Sequence, residues 1–460
     1  MKQFFVFAAL VLSGTTSALA WSNHALASYR AFEVMPEVAQ AAPVTAEPLE
    51  AFLAAQAAPI AALLAEQDAW ARANLAHYPP LPAALRFDPG VASQGPQALR
   101  RAFLTALRVS PDSRLALYVQ PDPWGPEPAG APMPHDEVNA LPLREKDGEK
   151  HRFVRLQAGE AVAPLAVLAS ASDEPDYGID LNLWEDSPSS WGPGYGFGKI
   201  PFGNPSLDFA TQAPFHMGYH HESPVIYAAA GFLKRTYPLL RLHQWRTLSE
   251  LAFRSGHPYW GWRFAGLALH YVQDLTQPYH ASLAPGFSTA RLIGIQLMAL
   301  LGMPGGKNDM VVLLSNRHFV LERYESQMIQ ASARARQAGP LEQALRDTGT
   351  DAGQVPWSDA TLRDSVARQS HAAGETVTAQ MLASVPSSYV DDPGFDFGVH
   401  AGGIDLMAEV AGRGPPAKAA LEDSIATLMR HFGAHSRRLV GAIRRSEEHT
   451  SELQSRFDLV

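Results

Sequence analysis

The sequence predicts an all-α fold, arranged as a multi-helix bundle with long loops on one face. From Ser223 onward, stretches with helical periodicity follow one another, whereas patterns typical of strands are few and short. The run 47–75 is rich in alanine, which favours helix and lets helices pack closely. Because 46% of the 460 residues are hydrophobic, the chain can bury a large core.

The first helix is predicted at 23–35, with Asn23 as its N-cap and Pro36 ending it. One or two long helices follow in 47–75, and a shorter helix covers 96–107. The remaining helices are predicted near 224–237, 244–255, 259–276, 289–301, 309–333, 360–383 and 416–444. No internal repeat or low-complexity linker separates them, so 21–444 is treated as one α-helical domain.

Three loop-rich insertions are expected within this domain, at about 77–165, 177–214 and 284–308. The second contains many Gly, Pro, Ser and Asp residues, and long ordered loops often line functional sites. The third contains an apolar stretch, 290–303, with helical character. We therefore expect a functional cleft on the loop-bearing face.

Both ends of the chain differ from the domain between them. Residues 1–20 have the pattern of a secretory signal peptide, with Lys2 before an apolar core and Ala18-Leu-Ala20 as the cleavage site. Cleavage would leave Trp21 as the first mature residue of a secreted or periplasmic protein. Residues 445–460 are similar to the translation of a sequencing adapter, so we expect this tail to be non-native.

Composition limits the classes of function. The formal net charge is −9, whereas a general nucleic-acid-coating protein would present a basic face. The chain contains no cysteine, which excludes disulfides and thiolate metal sites. A metal site in this chain must therefore use His, Asp, Glu and backbone groups.

A His–Asp pair in the predicted helix 259–276 is the first indication of such a site. His270 and Asp274 are four residues apart and share one helix face, where an imidazole and a carboxylate can bind a cation such as Zn²⁺. Pro278 should end or bend this helix and turn His280 toward the same pocket. A single pair of this kind is more often an ordinary polar contact.

A second pair with the same spacing strengthens the prediction. His318 and Glu322 are four residues apart in the predicted helix 309–333. Two such pairs, together with His280, indicate a metal cluster. Nitrogen and oxygen donors suit zinc, with Mn²⁺ or Fe²⁺ as alternatives.

These motifs resemble the secreted zinc-dependent phospholipase C and S1/P1 nuclease superfamily. The matching pieces are Trp21 at the predicted mature start, a His shortly after it, Leu269-His-Tyr-Val-Gln-Asp274, Gln277-Pro-Tyr-His280 and His318-x-x-x-Glu322. The resemblance covers these scattered positions and much of 223–325. It implies an all-α protein with three zinc ions at the base of a cleft.

The resemblance also implies the ligands of each ion. His270 and Asp274 would bind one zinc together with an Asp and a His from earlier in the chain, best matched by Asp176 and His216. The alternatives are Asp173, Asp180 and Asp186 for the Asp, and His220 and His221 for the His. A second zinc would be held by His280, His318 and Glu322, and the third by His24, a bridging Asp274, and the free amine and carbonyl of Trp21.

The implied activity is that of a secreted zinc-dependent phosphoric ester hydrolase, a phosphodiesterase of the phospholipase C type. Metal ions roughly 3.5–4 Å apart can activate a shared water and hold phosphate oxygens. Asp176 would orient that water or take its proton. The expected substrate is a phospholipid or another phosphodiester, and no protein partner is inferred.

Two other functions remain open. An S1/P1-type single-strand nuclease would bind single-stranded nucleic acid and would need aromatic platforms for the bases. The candidate platforms are Trp184, Trp191, Tyr195 and Phe197. The other alternative is a non-catalytic secreted metal-binding protein.

The stretch 290–303 bears on the choice of substrate. It has only Arg291 and Gln296 as polar side chains, so it is either a lid that makes peripheral membrane contact or simply a buried helix. The first interpretation favours a lipid substrate.

Overall fold

The computed structural model describes residues 23–126, 130–141, 152–353 and 355–457, with side chains described up to residue 446. The structure is 64% helix and 3% strand, which confirms the predicted all-α class. The predicted signal peptide and Trp21 lie outside the described residues. Within those ranges no single helix is long and apolar enough to cross a membrane, although the bent pair Leu49–Ala55 and Ala57–Asn74 meets that test by length and composition.

The described helices begin and end as follows. In chain order they are α1 His24–Phe32, α2 Pro36–Ala39, α3 Leu49–Ala55, α4 Ala57–Asn74, α5 Pro96–Leu107, α6 Pro164–Asp173, α7 Gly192–Tyr195, α8 Ala213–His216, α9 Pro224–Ala229, α10 Pro238–Arg254, α11 Pro258–Asp274, α12 Pro278–Ala281, α13 Thr289–Leu300, α14 Gly305–Ala335, α15 Pro340–Arg346, α16 Arg368–Ser384, α17 Ser387–Val390, α18 Phe397–His400, α19 Leu406–Gly412 and α20 Pro415–Phe457. Short 3-10 turns and one π-helical turn join several of them.

Two very small antiparallel sheets accompany the helices. The described strands are β1 Val44–Thr45, β2 Tyr118–Val119, β3 Pro132–Met133, β4 Phe153–Arg155 and β5 Ala161–Val162. β1 pairs with β5, and β4 lies between β2 and β3. Each strand has only two or three residues, so the sheets do not form a layer of their own. They join loops of the first insertion to one another and to residues 44–45.

The centre of the bundle is α11. Every residue from Tyr259 to Asp274 is buried, because α6, α10 and α20 pack around this helix. The close approach to α6 depends on Gly266, where an added Cβ would lie 2.5 Å from the carbonyl oxygen of Leu168. A helix enclosed on all sides is apolar all round, which explains the dense hydrophobic sequence around the His–Asp pair.

Most of the predicted helices lie close to their predicted positions. The alanine-rich run 47–75, predicted as one or two helices, forms α3 and α4, which are separated at Gln56 and meet at 89°. The helix predicted at 224–237 ends at Ala229, and a 3-10 turn begins at Gly231, a residue that disfavours continued α-helix. At the other end, α20 continues beyond residue 444 to Phe457, through much of the predicted non-native tail.

The helix α13 lies on the outside of the bundle. It has no buried residue, and its side chains Ile293 and Leu297 are 43% and 56% exposed. The interpretation of 290–303 as a buried helix is therefore wrong. An apolar sequence is equally compatible with burial and with an exposed helix that binds something else.

Candidate metal centre

Three groups of His, Asp and Glu side chains meet around the C-terminal end of α11. Within each group the donor atoms all lie within 4.8 Å of one another, and every member is buried. The groups are His24, His270 and Asp274; Asp176, His216 and His270; and His280, His318 and Glu322. All eight predicted ligands that the structure describes are thus brought together, and the ninth, Trp21, lies outside the described residues.

The last turn of α11 and the short helix after it supply three of the donors. His270 Nε2 is 3.2 Å from Asp274 Oδ2, as the four-residue spacing predicts. The helix ends at Asp274, and Pro278 begins α12, which turns His280 back until its Nδ1 is 3.9 Å from Asp274 Oδ1. The predicted change of direction at Pro278 is confirmed.

Two histidines are oriented by backbone carbonyl groups. His270 Nδ1 is 2.8 Å from the carbonyl oxygen of Ser172, and His280 Nδ1 is 2.9 Å from that of His216. A carbonyl only accepts hydrogen bonds, so each Nδ1 carries the proton and donates. The Nε2 lone pair of each ring is then directed into the cluster, as in metal-binding histidines.

His24 is oriented in the same way by a side chain of α11. Its Nδ1 is 2.8 Å from Gln273 Oε1. The Gln273 amide nitrogen donates to Ser28 Oγ at 2.9 Å, which fixes the amide with its oxygen toward His24. His24 Nε2 therefore faces Asp274 Oδ1, at 3.4 Å, and is the ring nitrogen that a metal could use.

The His216 ring is turned the other way, so that Nδ1 instead of Nε2 faces the cluster. Its Nε2 lies 3.4 Å from Asp180 Oδ2, and its Nδ1 faces the cluster 2.9 Å from Asp274 Oδ2. Asp180 is held by Arg241 Nε at 2.6 Å and by the Tyr271 hydroxyl at 2.7 Å. Asp180 thus lies beside His216 on the side away from the cluster and can orient its ring. Asp180 itself belongs to none of the three groups of candidate metal ligands.

The remaining alternatives for the Asp and His ligands also lie outside the three groups. Asp173 Oδ1 accepts the backbone N–H of Ala25, and Asp186 accepts that of Ile200. His221 Nε2 contacts the carbonyl oxygen of Arg363, and His220 joins none of the groups. Asp176 and His216 are the members of their sets that reach the other ligands.

The nitrogen and oxygen atoms that face the centre of the cluster are arranged so that cations can bind between them. His270 Nε2 is 2.9 Å from His216 Nδ1, and His280 Nε2 is 3.0 Å from His318 Nε2. With the outer nitrogen of His270 and His280 protonated, the Nε2 lone pair of each ring points at the partner nitrogen, so either a proton or a bound cation must lie between the two nitrogens. Among the described residues, His24 Nε2 and the buried Asp274 Oδ1 have no hydrogen-bond partner, so both remain available as ligands.

Burial and mutual charge set the pKa values of the metal-free histidines. Burial disfavours the cationic form of His24, but the Asp274 carboxylate, 3.4 Å from His24 Nε2, outweighs it and raises the pKa to about 9. The pKa of His216 is raised to about 10 because Asp180 and Asp274 together outweigh burial. His270 differs, since burial dominates and lowers its pKa to about 4.

The pKa values of Asp176 and Asp274 are shifted in opposite directions. Burial raises the pKa of Asp176 to about 8, although the neighbouring His216 and His24 oppose the shift. Burial acts the same way on Asp274, but the charges of His270 and His280 outweigh it and hold its pKa well below the usual range. Asp274 is therefore the permanently anionic centre of the cluster.

Metal uptake by the metal-free protein is expected to release protons. At pH 7, pKa values of about 9, 10 and 8 leave His24, His216 and Asp176 protonated, and ligation requires all three to lose their protons. Affinity should therefore rise as pH increases through these three pKa values, up to about pH 10. Calorimetric titration with Zn²⁺ in buffers of different ionisation enthalpy measures the protons released, and we expect more than one per chain at pH 7. Uptake with no proton release would contradict the arrangement.

The residues that orient the candidate ligands through hydrogen bonds were not predicted from the sequence. Gln273 and Arg241 are fully buried polar residues within apolar helices, and that contrast was the available signal. Gln277 is another case, since its amide donates to Glu322 Oε1 at 3.0 Å. Their partners are 45 to 249 residues away in sequence, which spacing rules do not reach.

The predicted aromatic platforms for nucleic-acid bases are wrong in three of four cases. Trp184, Tyr195 and Phe197 are buried together in a separate apolar cluster. The Trp184 indole donates to the carbonyl oxygen of Thr211, and the Tyr195 hydroxyl donates to that of Val109. These rings form core packing, and only Trp191 retains partial exposure.

Comparisons with protein-family models, with curated proteins and with solved structures give no match. A functional assignment therefore depends on the residues of the cluster and their geometry. The structure establishes three buried His, Asp and Glu groups that are able to bind metal ions.

Proposed function

We propose that this protein is a secreted zinc-dependent phosphoric ester hydrolase, a phosphodiesterase of the phospholipase C type. The observation that carries the proposal is the convergence of eight buried donor side chains from six separate segments of the chain. Three of the five histidines have their outer nitrogen hydrogen-bonded to an oxygen, and that of His216 lies 3.4 Å from Asp180 Oδ2, which leaves the inner nitrogen for a metal. Their nitrogen and oxygen donors suit zinc, with Mn²⁺ or Fe²⁺ as alternatives.

The donors divide among three ions. One ion would be held by Asp176, His216, His270 and Asp274, and a second by His280, His318 and Glu322. The third would be held by His24 and Asp274, completed by the amine and carbonyl of Trp21. Asp274 belongs to two of these sets, and its two oxygens face different histidines, which supports a bridging role.

The third site connects the proposed secretion to the proposed chemistry. A backbone nitrogen is a good ligand only as a free terminus, and cleavage after Ala20 would create that terminus three residues before His24. An α-amine has a pKa of roughly 7.7–8.0, so it is readily deprotonated beside a metal. His24 is the first residue of α1 and is fully buried, which places its ring within the donor cluster close in sequence to the proposed terminus.

The chemistry requires a phosphate to reach the cluster. Asp176 and His318 have the most exposed side chains of the eight donors, at 9% and 11%, so substrate would approach across these two residues. When bound, the ions would supply Lewis-acid chemistry, stabilising charge on phosphate oxygens and lowering the pKa of a water. Asp176 would orient this water in line with the leaving oxygen or accept its proton.

An activity panel with metal analysis tests the proposed function. The protein beginning at Trp21 should contain about three zinc-class ions per chain and should hydrolyse phosphatidylcholine and bis(p-nitrophenyl) phosphate. Hydrolysis of single-stranded DNA or RNA without lipid hydrolysis would favour the nuclease instead. A fully metal-loaded protein that hydrolyses none of these would be a metal-binding protein without catalysis. A His431→Ala variant, altered outside the cluster, serves as the control and should match the wild type.

A further inference from the structure

The exposed large hydrophobic side chains of the described surface are concentrated on and just after α13. Ten large hydrophobic side chains are substantially exposed, and six of them lie in the 11 residues from Ile293 to Met303. They are Ile293, Leu297, Met298, Leu300, Leu301 and Met303, at 43–66% exposure. Scattered exposed hydrophobics are ordinary, whereas a contiguous set of this size indicates a binding surface.

The other face of α13 packs against residues that adjoin two of the candidate ligands in sequence. Leu292 contacts two apolar clusters, one of which includes Met217 and Leu283. Met217 follows His216 directly, and Leu283 lies three residues after His280 in sequence. The helix is therefore packed against the segments that carry His216 and His280.

The segment around α13 carries no negative charge. The chain contains 46 Asp and Glu residues, yet none occurs between Asp274 and Asp309. Arg291 is exposed at the start of α13, with its guanidinium carbon 4.5 Å from the centre of the Phe287 ring. Lys234 is also exposed and adjoins Leu233, which belongs to the same apolar cluster as Leu292. Glu222 and Glu375 accept the backbone N–H groups of Leu283 and Gly286 before α13, so the segment itself contributes only cations. An apolar face bordered by Arg291 and Lys234, on a segment without acidic side chains, matches the surface of a phospholipid layer.

We propose that α13 docks this protein onto a phospholipid surface and so presents lipid head groups to the metal cluster. The helix has 12 residues, so it is about 18 Å long, well short of the roughly 30 Å of a bilayer core. It therefore lies along the surface with Ile293, Leu297 and Leu301 inserted. This inference rests on the proposed function for its choice of substrate, and the docking itself does not require catalysis.

Vesicle flotation with a triple variant tests the docking. The variant Ile293→Ser, Leu297→Ser, Leu301→Ser should lose binding to phosphatidylcholine–phosphatidylglycerol vesicles by at least about tenfold, because the inserted apolar area is removed. The matched control Val355→Ser, Leu382→Ser, Val399→Ser alters exposed hydrophobics elsewhere and should bind as the wild type does. Hydrolysis of vesicle lipid should fall with binding, while hydrolysis of bis(p-nitrophenyl) phosphate and the melting temperature stay unchanged.

Three results would overturn the inference. Wild-type protein that does not float with vesicles has no lipid-docking surface. A wild-type dimer that the triple variant converts to a monomer, without vesicle binding, would show that a second copy covers the face. Equal loss in the control triple would show that binding is not located at α13. By contrast, wild-type protein that floats through α13 but hydrolyses neither substrate would uphold the docking and refute the proposed function.

Discussion

The Asp274→Asn variant is expected to lose bound metal and at least about 1000-fold of phosphodiester hydrolysis. Asp274 is fully buried, and one of its oxygens faces His216 at 2.9 Å and His270 at 3.2 Å. The other oxygen faces His24 at 3.4 Å. Asparagine keeps the shape of the side chain but removes the negative charge and one acceptor oxygen. Two of the three proposed ions then lose an anionic ligand at once.

Metal content by mass spectrometry and the rate on bis(p-nitrophenyl) phosphate measure this effect. Glu342→Gln is the matched control, because Glu342 is a buried carboxylate on α15 that belongs to none of the donor groups. It should retain full metal content and rate. Full metal content and wild-type activity in Asp274→Asn would remove the basis for the proposed function.

Removal of the metal ions is expected to lower the melting temperature by on the order of 10 °C. The native cluster buries Asp274 and Glu322 among five histidines, and cations bound there stabilise the folded state but have no comparable site in the unfolded chain. Each ion held at a free concentration about 100 times its dissociation constant adds about 2.7 kcal/mol.

Thermal unfolding by circular dichroism, with and without a chelator, checks this prediction. Addition of Zn²⁺ to the chelated protein should restore the original melting temperature. The Asp274→Asn variant supplies the control, since a protein without most of its metal should respond weakly to chelation. An unchanged melting temperature in wild-type protein, with metal verified as removed, would contradict a cluster that contributes to folding.

Local signals in the sequence predicted much of the fold. The helix at 96–107 has the predicted ends, because Pro96 suits the first turn and an apolar stripe follows it. The four-residue spacing of His270 and Asp274, and of His318 and Glu322, correctly indicated donors on shared faces. These predictions succeeded because each depends on residues within one or two helical turns.

Contacts between distant segments account for what the sequence did not predict. The support of His24 by Gln273 joins residues 249 apart, and that of Asp180 by Arg241 joins residues 61 apart. The burial of individual side chains could not be predicted from the sequence either. Trp184 and Leu297 are both apolar, but Trp184 lies in the core and Leu297 is exposed. Asp176 and His216 came from the family resemblance, and their proximity depends on how the long loop 177–214 folds.

The amide of Gln273 has a consequence for when the cluster can form. It joins His24 near the start of the chain to Ser436 of α20, whose hydroxyl lies 3.3 Å from the amide nitrogen. The ribosome makes α20 long after α1, so the surroundings of His24 cannot be finished before α20 has been synthesised. We therefore expect the ions to load only after that point. If the leader directs export, the metal supply outside the cytoplasm then decides which ion is bound, because availability as well as affinity determines metal selection.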